Sequence, residues 1–214
     1  MVTYTLTAFQ EPRGVMRILQ FIFAICAFAT TTNFSNTVSL QNCDNTNSTR
    51  SFTLEYPFRF AEKVCTPSEG VVKDISANVA SDAQFFVATG VLSLLYCVFI
   101  IVVYALIDEL YKNKTEIPLA DFMLTTVLAV FWLSGSAAWA NGTSALKGVT
   151  DPIDIRALCG NIPQCGVTVG SFSRLNISLI FGFLNFFLWA SDLWFLYKET
   201  IWFQSRQTTT SPGV

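Results

Sequence analysis

Histidine is absent from all 214 residues. That gap alone removes His-ligated zinc, Ser–His and Cys–His nucleophile pairs, and histidine proton relays. Charge is scarce too: Asp, Glu, Lys and Arg make up 13% of the chain, against about 25% in a soluble domain. There is no basic block and the net charge is −2, so nucleic acid is not an expected partner. No Walker loop, dinucleotide fingerprint or G-x-S-x-G elbow occurs. The chain is not expected to be an enzyme, and no metal or cofactor is expected.

What the sequence has in excess is apolar side chains, 52% of the total, with a mean hydropathy of +0.47. The missing charge is segmental. Four runs are almost bare of it: 18–32, 85–107, 119–140 and 175–197. The third carries Asp121 near its start and the fourth carries Asp192 near its end. A bilayer core takes about 20 apolar residues per helix. The expected fold class is therefore an all-α membrane protein, a four-transmembrane-helix bundle. Its four-span domain covers 1–203, followed by a short tail, 204–214. The first run follows Arg17 much as the core of a signal peptide follows its basic flank. However, 17 residues precede it, Pro12 and Gly14 among them, with no clear small-x-small cleavage pattern. A retained helix is expected.

Four spans place both termini on one side. Arg13, Arg17, Lys112, Lys114, Lys198 and Arg206 share that side, while seven basic residues are spread over the longer loops opposite. The positive-inside bias points weakly to cytosolic termini. Cysteine points there more firmly. Cys26 and Cys97 lie in spans, but Cys43, Cys65, Cys159 and Cys165 all fall in the two loops of the other side, 33–83 and 141–173. Disulfides persist in oxidising compartments, so those loops read as lumenal. The sequon at Asn47 lies in the first of them, far from the bilayer, and is the best glycosylation acceptor. The sequons at Asn33, Asn113, Asn141 and Asn176 lie in or beside the membrane or on the cytosolic side.

The first lumenal loop looks folded. Phe52, Leu54, Tyr56, Phe58 and Phe60 alternate with polar residues, as do Val38 and Leu40 before the turn-rich DNTNST. Period two is the mark of a half-buried strand, and Pro57 confines it to an edge or a break. A small β-hairpin with an aromatic face is expected, its base closed by Cys43 and Cys65. Four cysteines allow three pairings. Two intra-loop bonds are the economical choice, and a cross-loop pairing stays open.

In the fourth span Ser178, Gly182, Asn185, Trp189, Asp192 and Leu196 recur at intervals of 4, 3, 4, 3 and 4, which puts them on one helical face. Small and polar residues gather where helices meet in lipid. This face is expected to point into the bundle or toward a partner, with Asn185 and Asp192 acting as interhelical hydrogen-bond glue near the cytosolic interface rather than as a permeation site. In the third span a small-residue patch, Ser134–Ala138, sits between Trp132 and Trp139 and reads as packing, with tryptophan as an interface belt. Leu106, Tyr111 and Lys114 fit the loose cholesterol-recognition pattern.

Several blocks together carry a resemblance: EPRGVMRILQFIFAICAFAT (11–30), EYPFRF (55–60), SDAQFFVATG (81–90), WLSGSAAWANGTSALKGVTDP (132–152) and ISLIFGFLNFFLWASDLWFLYKETIWF (177–203). In this order they resemble the synaptophysin, synaptoporin and pantophysin group of MARVEL-domain proteins. The resemblance implies a glycoprotein of synaptic or other transport-vesicle membranes with cytosolic termini. It implies one disulfide in each lumenal loop, Cys43 with Cys65 and Cys159 with Cys165. It further implies self-association into a homo-oligomer, association with cholesterol, and partnership with a synaptobrevin-type vesicle SNARE and the vesicular proton ATPase in exocytosis and endocytosis. The long Gly-, Tyr-, Pro- and Gln-rich tail of neuronal members has no counterpart in QSRQTTTSPGV (204–214), so tail-dependent phosphotyrosine interactions are not expected. Asp192 stands where an uncharged polar residue is expected. The alternative function is an oligomeric channel with the fourth-span polar face lining its pore. Claudin-like and tetraspanin-like readings lack their loop motifs.

Overall fold

The computed structural model describes residues 12–43, 48–65, 73–113, 116–160 and 164–199. Its elements are α1 (Pro12–Thr32), β1 (Ser35–Gln41), β2 (Thr49–Glu55), β3 (Arg59–Cys65), β4 (Lys73–Asn78), α2 (Ala80–Asn113), α3 (Glu116–Val149), α4 (Pro152–Leu158), β5 (Gly166–Val169) and α5 (Ser173–Glu199). The four long helices coincide with the four apolar runs but outlast them. α2 and α3 each have 34 residues, about 50 Å at 1.5 Å per residue, against about 30 Å of bilayer hydrocarbon.

The helices are inside out relative to soluble ones. α1 buries Gly14, Arg17, Gln20, Ala24, Ala27 and Thr31, a face of small and polar residues. α2 buries Ala83, Phe86, Thr89, Ser93, Cys97 and Ile100, and leaves Leu95 and Phe99 exposed. The pattern follows from the solvent. Lipid tails are as apolar as leucine, so burying leucine gains little, and close approach and hydrogen bonding decide what faces inward.

The chain divides into two compact units. The first holds 1–26, 88–134 and 181–214, and so includes a segment of each long helix. Trp132 is fully buried there, its indole N–H donating to Ser93 Oγ at 2.8 Å. The second holds 27–87 and 135–180 and contains all five strands. There Trp139, fully buried, donates to Ser178 Oγ at 3.1 Å, and Ser178 passes the bond on to the Leu175 carbonyl at 2.8 Å. Both tryptophans serve as buried pillars with a satisfied N–H, not as the interface belt expected for them.

The strands go beyond a single hairpin. β1 and β2 pair antiparallel with Val38 opposite Phe52. β3 and β4 form a second hairpin. The expected alternation is present: Val38, Leu40, Phe52, Leu54 and Phe58 are buried. Pro57 marks the break between β2 and β3, where the Tyr56–Pro57 bond is cis and Phe58 has a φ of 64°. That corner turns the Phe58 ring onto Trp139, with centroids 5.1 Å apart, and onto Phe34 at 5.8 Å. Phe52 and Phe60 stack at 5.6 Å.

The 141–173 segment is not an open loop. α3 continues through it to Val149. Asp151 then caps α4, its side chain accepting from the Ile153 amide at 2.8 Å, with Pro152 in the first turn, a start that suits both residues. Gly160, at a φ of 73°, ends it. β5 follows and adds to the outer edge of β1, giving the strand order β2-β1-β5.

That edge addition corrects the cysteine pairing. Gln41 at the end of β1 lies opposite Gly166 at the start of β5, so the residues just outside, Cys43 and Cys165, meet. They are bonded, with Cα atoms 4.4 Å apart. Neither the Cys43–Cys65 nor the Cys159–Cys165 intra-loop pair therefore forms. Cys159 is itself disulfide-bonded, and its sulfur lies within 4.8 Å of those of Cys43 and Cys165. The three sulfurs belong to a cystine cluster and not to a thiolate metal site. The Cys65 side chain lies outside the described residues, as does Asn47.

Non-reducing proteolysis and mass spectrometry should recover a Cys43 peptide joined to a Cys165 peptide, and a Cys43–Cys65 product would contradict the sheet order. Cys43→Ser is expected to lower stability by about 2–5 kcal/mol, read from unfolding midpoints in mixed micelles.

Candidate functional site

Within the first unit the most polar place is also among the most deeply buried. α1 brings Arg17 and Gln20, α2 brings Tyr96, α3 brings Asp121 and Thr125, and α5 brings Trp189 and Asp192. Arg17, Gln20, Asp121, Thr125, Trp189 and Asp192 are all buried.

The Arg17 guanidinium divides its fork between two carboxylates. Nη2 donates to Asp121 Oδ1 at 2.7 Å, and Nη1 pairs with Asp192 Oδ2 at 2.9 Å. Helical neighbours complete each half. Thr125, four residues after Asp121, accepts from Arg17 Nη2 at 2.8 Å and donates to Asp121 Oδ1 at 3.2 Å. Gln20, three residues after Arg17, accepts from Nη1 at 3.0 Å through Oε1. It donates through Nε2 to Asp192 Oδ2 at 3.1 Å and to the Leu188 carbonyl at 3.4 Å. The Tyr96 hydroxyl donates to Asp121 Oδ1. The guanidinium carbon lies 5.3 Å from the Tyr96 ring centroid and 5.2 Å from that of Trp189, within cation–π range. Arginine suits this position because its planar fork serves two carboxylates at once.

Ser178, Gly182, Asn185, Trp189, Asp192 and Leu196 are all buried, and Gly182 to Leu196 belong to the first unit. Asn185 Nδ2 donates to the Phe181 carbonyl at 2.9 Å. Asp192 reaches across to α1, where its partners are the Arg17 cation and the Gln20 amide. Sequence reasoning placed Arg17 outside the first span as a flanking charge, and the structure instead puts it inside α1 with its side chain fully enclosed. The available signal was compositional. Two acidic residues inside apolar runs need a cation in reach, and Arg17 is one of three basic residues, with Arg174 and Lys198, that directly flank a run. Leu106 and Tyr111 have side chains outside the described residues, as does all of Lys114, so the cholesterol pattern has no structural counterpart to report.

Removing one partner of a buried ion pair leaves the other charge uncompensated, at about 3–5 kcal/mol. Arg17→Ala is expected to cost that much in reversible unfolding followed by tryptophan fluorescence. Arg17→Lys should fall between it and the wild type, because one ammonium cannot present two planar forks. A loss under about 1 kcal/mol for Arg17→Ala would mean the cluster does not hold these helices together.

Four helices among the described residues are long and apolar enough to cross a bilayer: Gly14–Thr32, Ala80–Val103, Ile117–Val149 and Ser173–Lys198. Inside the first of these lies Arg17, inside the third Asp121 and inside the fourth Asp192. Residues 8–195 match the family model of MARVEL, the membrane-associating domain. A match over most of the chain, together with the four spans and an interior that conceals its charges, makes this a tetraspan membrane protein that belongs to the MARVEL family.

Proposed function

We propose that this protein is a synaptophysin-like component of synaptic or other transport vesicles. Its work is to organise or sort other vesicle membrane proteins, among them a synaptobrevin-type SNARE and the vesicular proton ATPase, during exocytosis and endocytosis. The role is non-catalytic, and self-association and cholesterol association accompany it. The observation that carries the reading is the apolar outer face of the helices, left over once small, polar and aromatic residues have turned inward. In the first unit Leu95, Phe99, Met123, Val127, Phe187 and Trp194 are exposed, so lateral faces suited to lipid and to other membrane helices are left over once the interior is satisfied. The MARVEL match supports the same reading.

The disulfides support the orientation. The Cys43–Cys165 bond and a disulfide at Cys159 favour an oxidising compartment around the strands, which supports the reading of lumenal loops and cytosolic termini. The alternative, an oligomeric channel lined by the α5 polar face, has less support. Gly182, Asn185, Trp189 and Asp192 are buried within a single chain, and a pore between copies would need them on its outside.

The test is gentle detergent extraction from vesicle membranes followed by affinity capture. A synaptobrevin-type SNARE or the proton ATPase is expected to co-purify. Phe187→Ala with Trp194→Ala should reduce the yield several-fold without altering the thermal midpoint. Recovery of neither partner would remove the sorting role, and the MARVEL assignment would stand.

A further inference from the structure

Asp192 is less completely paired than its burial requires. Its side chain is fully enclosed. Oδ2 takes both the Arg17 ion pair and the Gln20 hydrogen bond, while Oδ1 is buried with no hydrogen-bond partner among the described residues. Arg17 is the cation on Asp192, and Arg17 divides its charge with Asp121. Two further atoms on the same α5 face share this condition: Trp189 Nε1, three residues back, and Asn185 Oδ1, seven residues back. A carboxylate oxygen and an amide oxygen, both acceptors, thus sit along one buried helical face with an indole donor between them.

Buried polar atoms without partners cost about 1–3 kcal/mol each, and more when charged. A carboxylate sharing its only cation in a low-dielectric interior has a standing preference for one more positive charge. The geometry points to a binding site for a single exchangeable monovalent cation at Asp192 Oδ1. The shared chemistry is one positive charge, and the two sources are a proton and an alkali metal ion. Trp189 Nε1, one turn back on the same face, adds a donor for a water bridging to the site. The titratable groups that act on Asp192 from the other helices are Arg17 on α1, Cys97 on α2 and Asp121 on α3, while the Tyr96 hydroxyl on α2 goes to Asp121. Of these, Arg17 alone carries positive charge. Lys198 on the same helix is exposed and lies over the Trp194 ring. The site rests on the described geometry of the first unit and not on the vesicle role proposed above.

The full-length protein in nanodiscs carries the test. Its thermal midpoint is read in sodium, potassium and choline chloride at equal ionic strength, and its infrared spectrum is searched for a protonated-carboxyl C=O band at neutral pH. An alkali-ion site gives a midpoint that rises with the logarithm of sodium or potassium concentration but not with choline. A proton site gives the carboxyl band with no preference among the salts. Either signal should vanish in Asp192→Asn, which keeps the shape and removes the charge. If Asp192→Asn does not fold, Trp189→Phe keeps the ring over Arg17 and removes the N–H, and it should shift the band or weaken ion affinity several-fold. Wild-type protein with neither a carboxyl band nor an ion-specific midpoint overturns the proposal. So does a signal that survives unchanged in Asp192→Asn, or, where that variant fails to fold, in Trp189→Phe.

Discussion

A guanidinium cannot shed its charge at any pH a protein meets, and it cannot stay in hydrocarbon without anionic partners. Arg17 therefore constrains everything around it. Because it sits on α1, an acid must come to it from α3 and another from α5, at heights along those helices that let one planar fork reach both. Gln20 and Thr125 are placed one helical turn from the charges they serve, the spacing that makes them side-by-side neighbours on the same face. Ala24 and Gly182, buried beyond the charged layer, are small enough to let the backbones close around it. The ion cluster and the small residues are two halves of one requirement, since a short salt bridge between helices demands a short distance between their axes.

The cluster's value lies more in registry than in raw stability. Taking charged groups out of water costs several kcal/mol per ion, and a well-packed apolar replacement is often no worse. In lipid, though, apolar faces do not discriminate one rotation of a helix from another, because tails and leucines are equivalent solvents. A bidentate contact to carboxylates on two helices admits one arrangement. The same logic applies separately in the second unit. There Trp139 with Ser178 supplies a directional bond within an aromatic cluster of Phe34, Phe58 and Phe86, and the cystine beside β1 and β5 pins the sheet edge.

How much of this could be read from residues follows from which signals are periodic. The α5 face was legible because its polar and small residues recur near a 3.5-residue interval and stand out against Phe, Leu and Ile. The α1 face recurs in the same way, from Gly14 through Arg17, Gln20, Ala24, Ala27 and Thr31, but hydropathy treats an arginine as a boundary and so cuts the helix at the residue that organises it. The alternation in 50–60 gave the strands and the break at Pro57. It could not give β5, whose four residues, GVTV, are too few to register as a pattern and are recruited by the free edge of β1. The cystine pairing failed for that reason. Loop-closure economy favours near neighbours, but sheet register had already brought distant ones together, and geometry outranks sequence separation once a strand pair is formed.

The charge on Asp192 goes beyond what packing at its position requires. An uncharged polar residue there would still accept from Gln20 and still face inward, so packing alone does not ask for a carboxylate. What a carboxylate adds is a second claim on Arg17. With Asp121 alone, the guanidinium would be an ordinary one-to-one buried pair, closed to further chemistry. With both acids the arginine is divided, and its position depends on how strongly each side pulls. Anything that neutralises Asp192 strengthens the Arg17–Asp121 half, and anything that withdraws Asp121 strengthens the other. A bundle held by one shared cation between two anions is thus a balance between α3 and α5 with α1 as the beam.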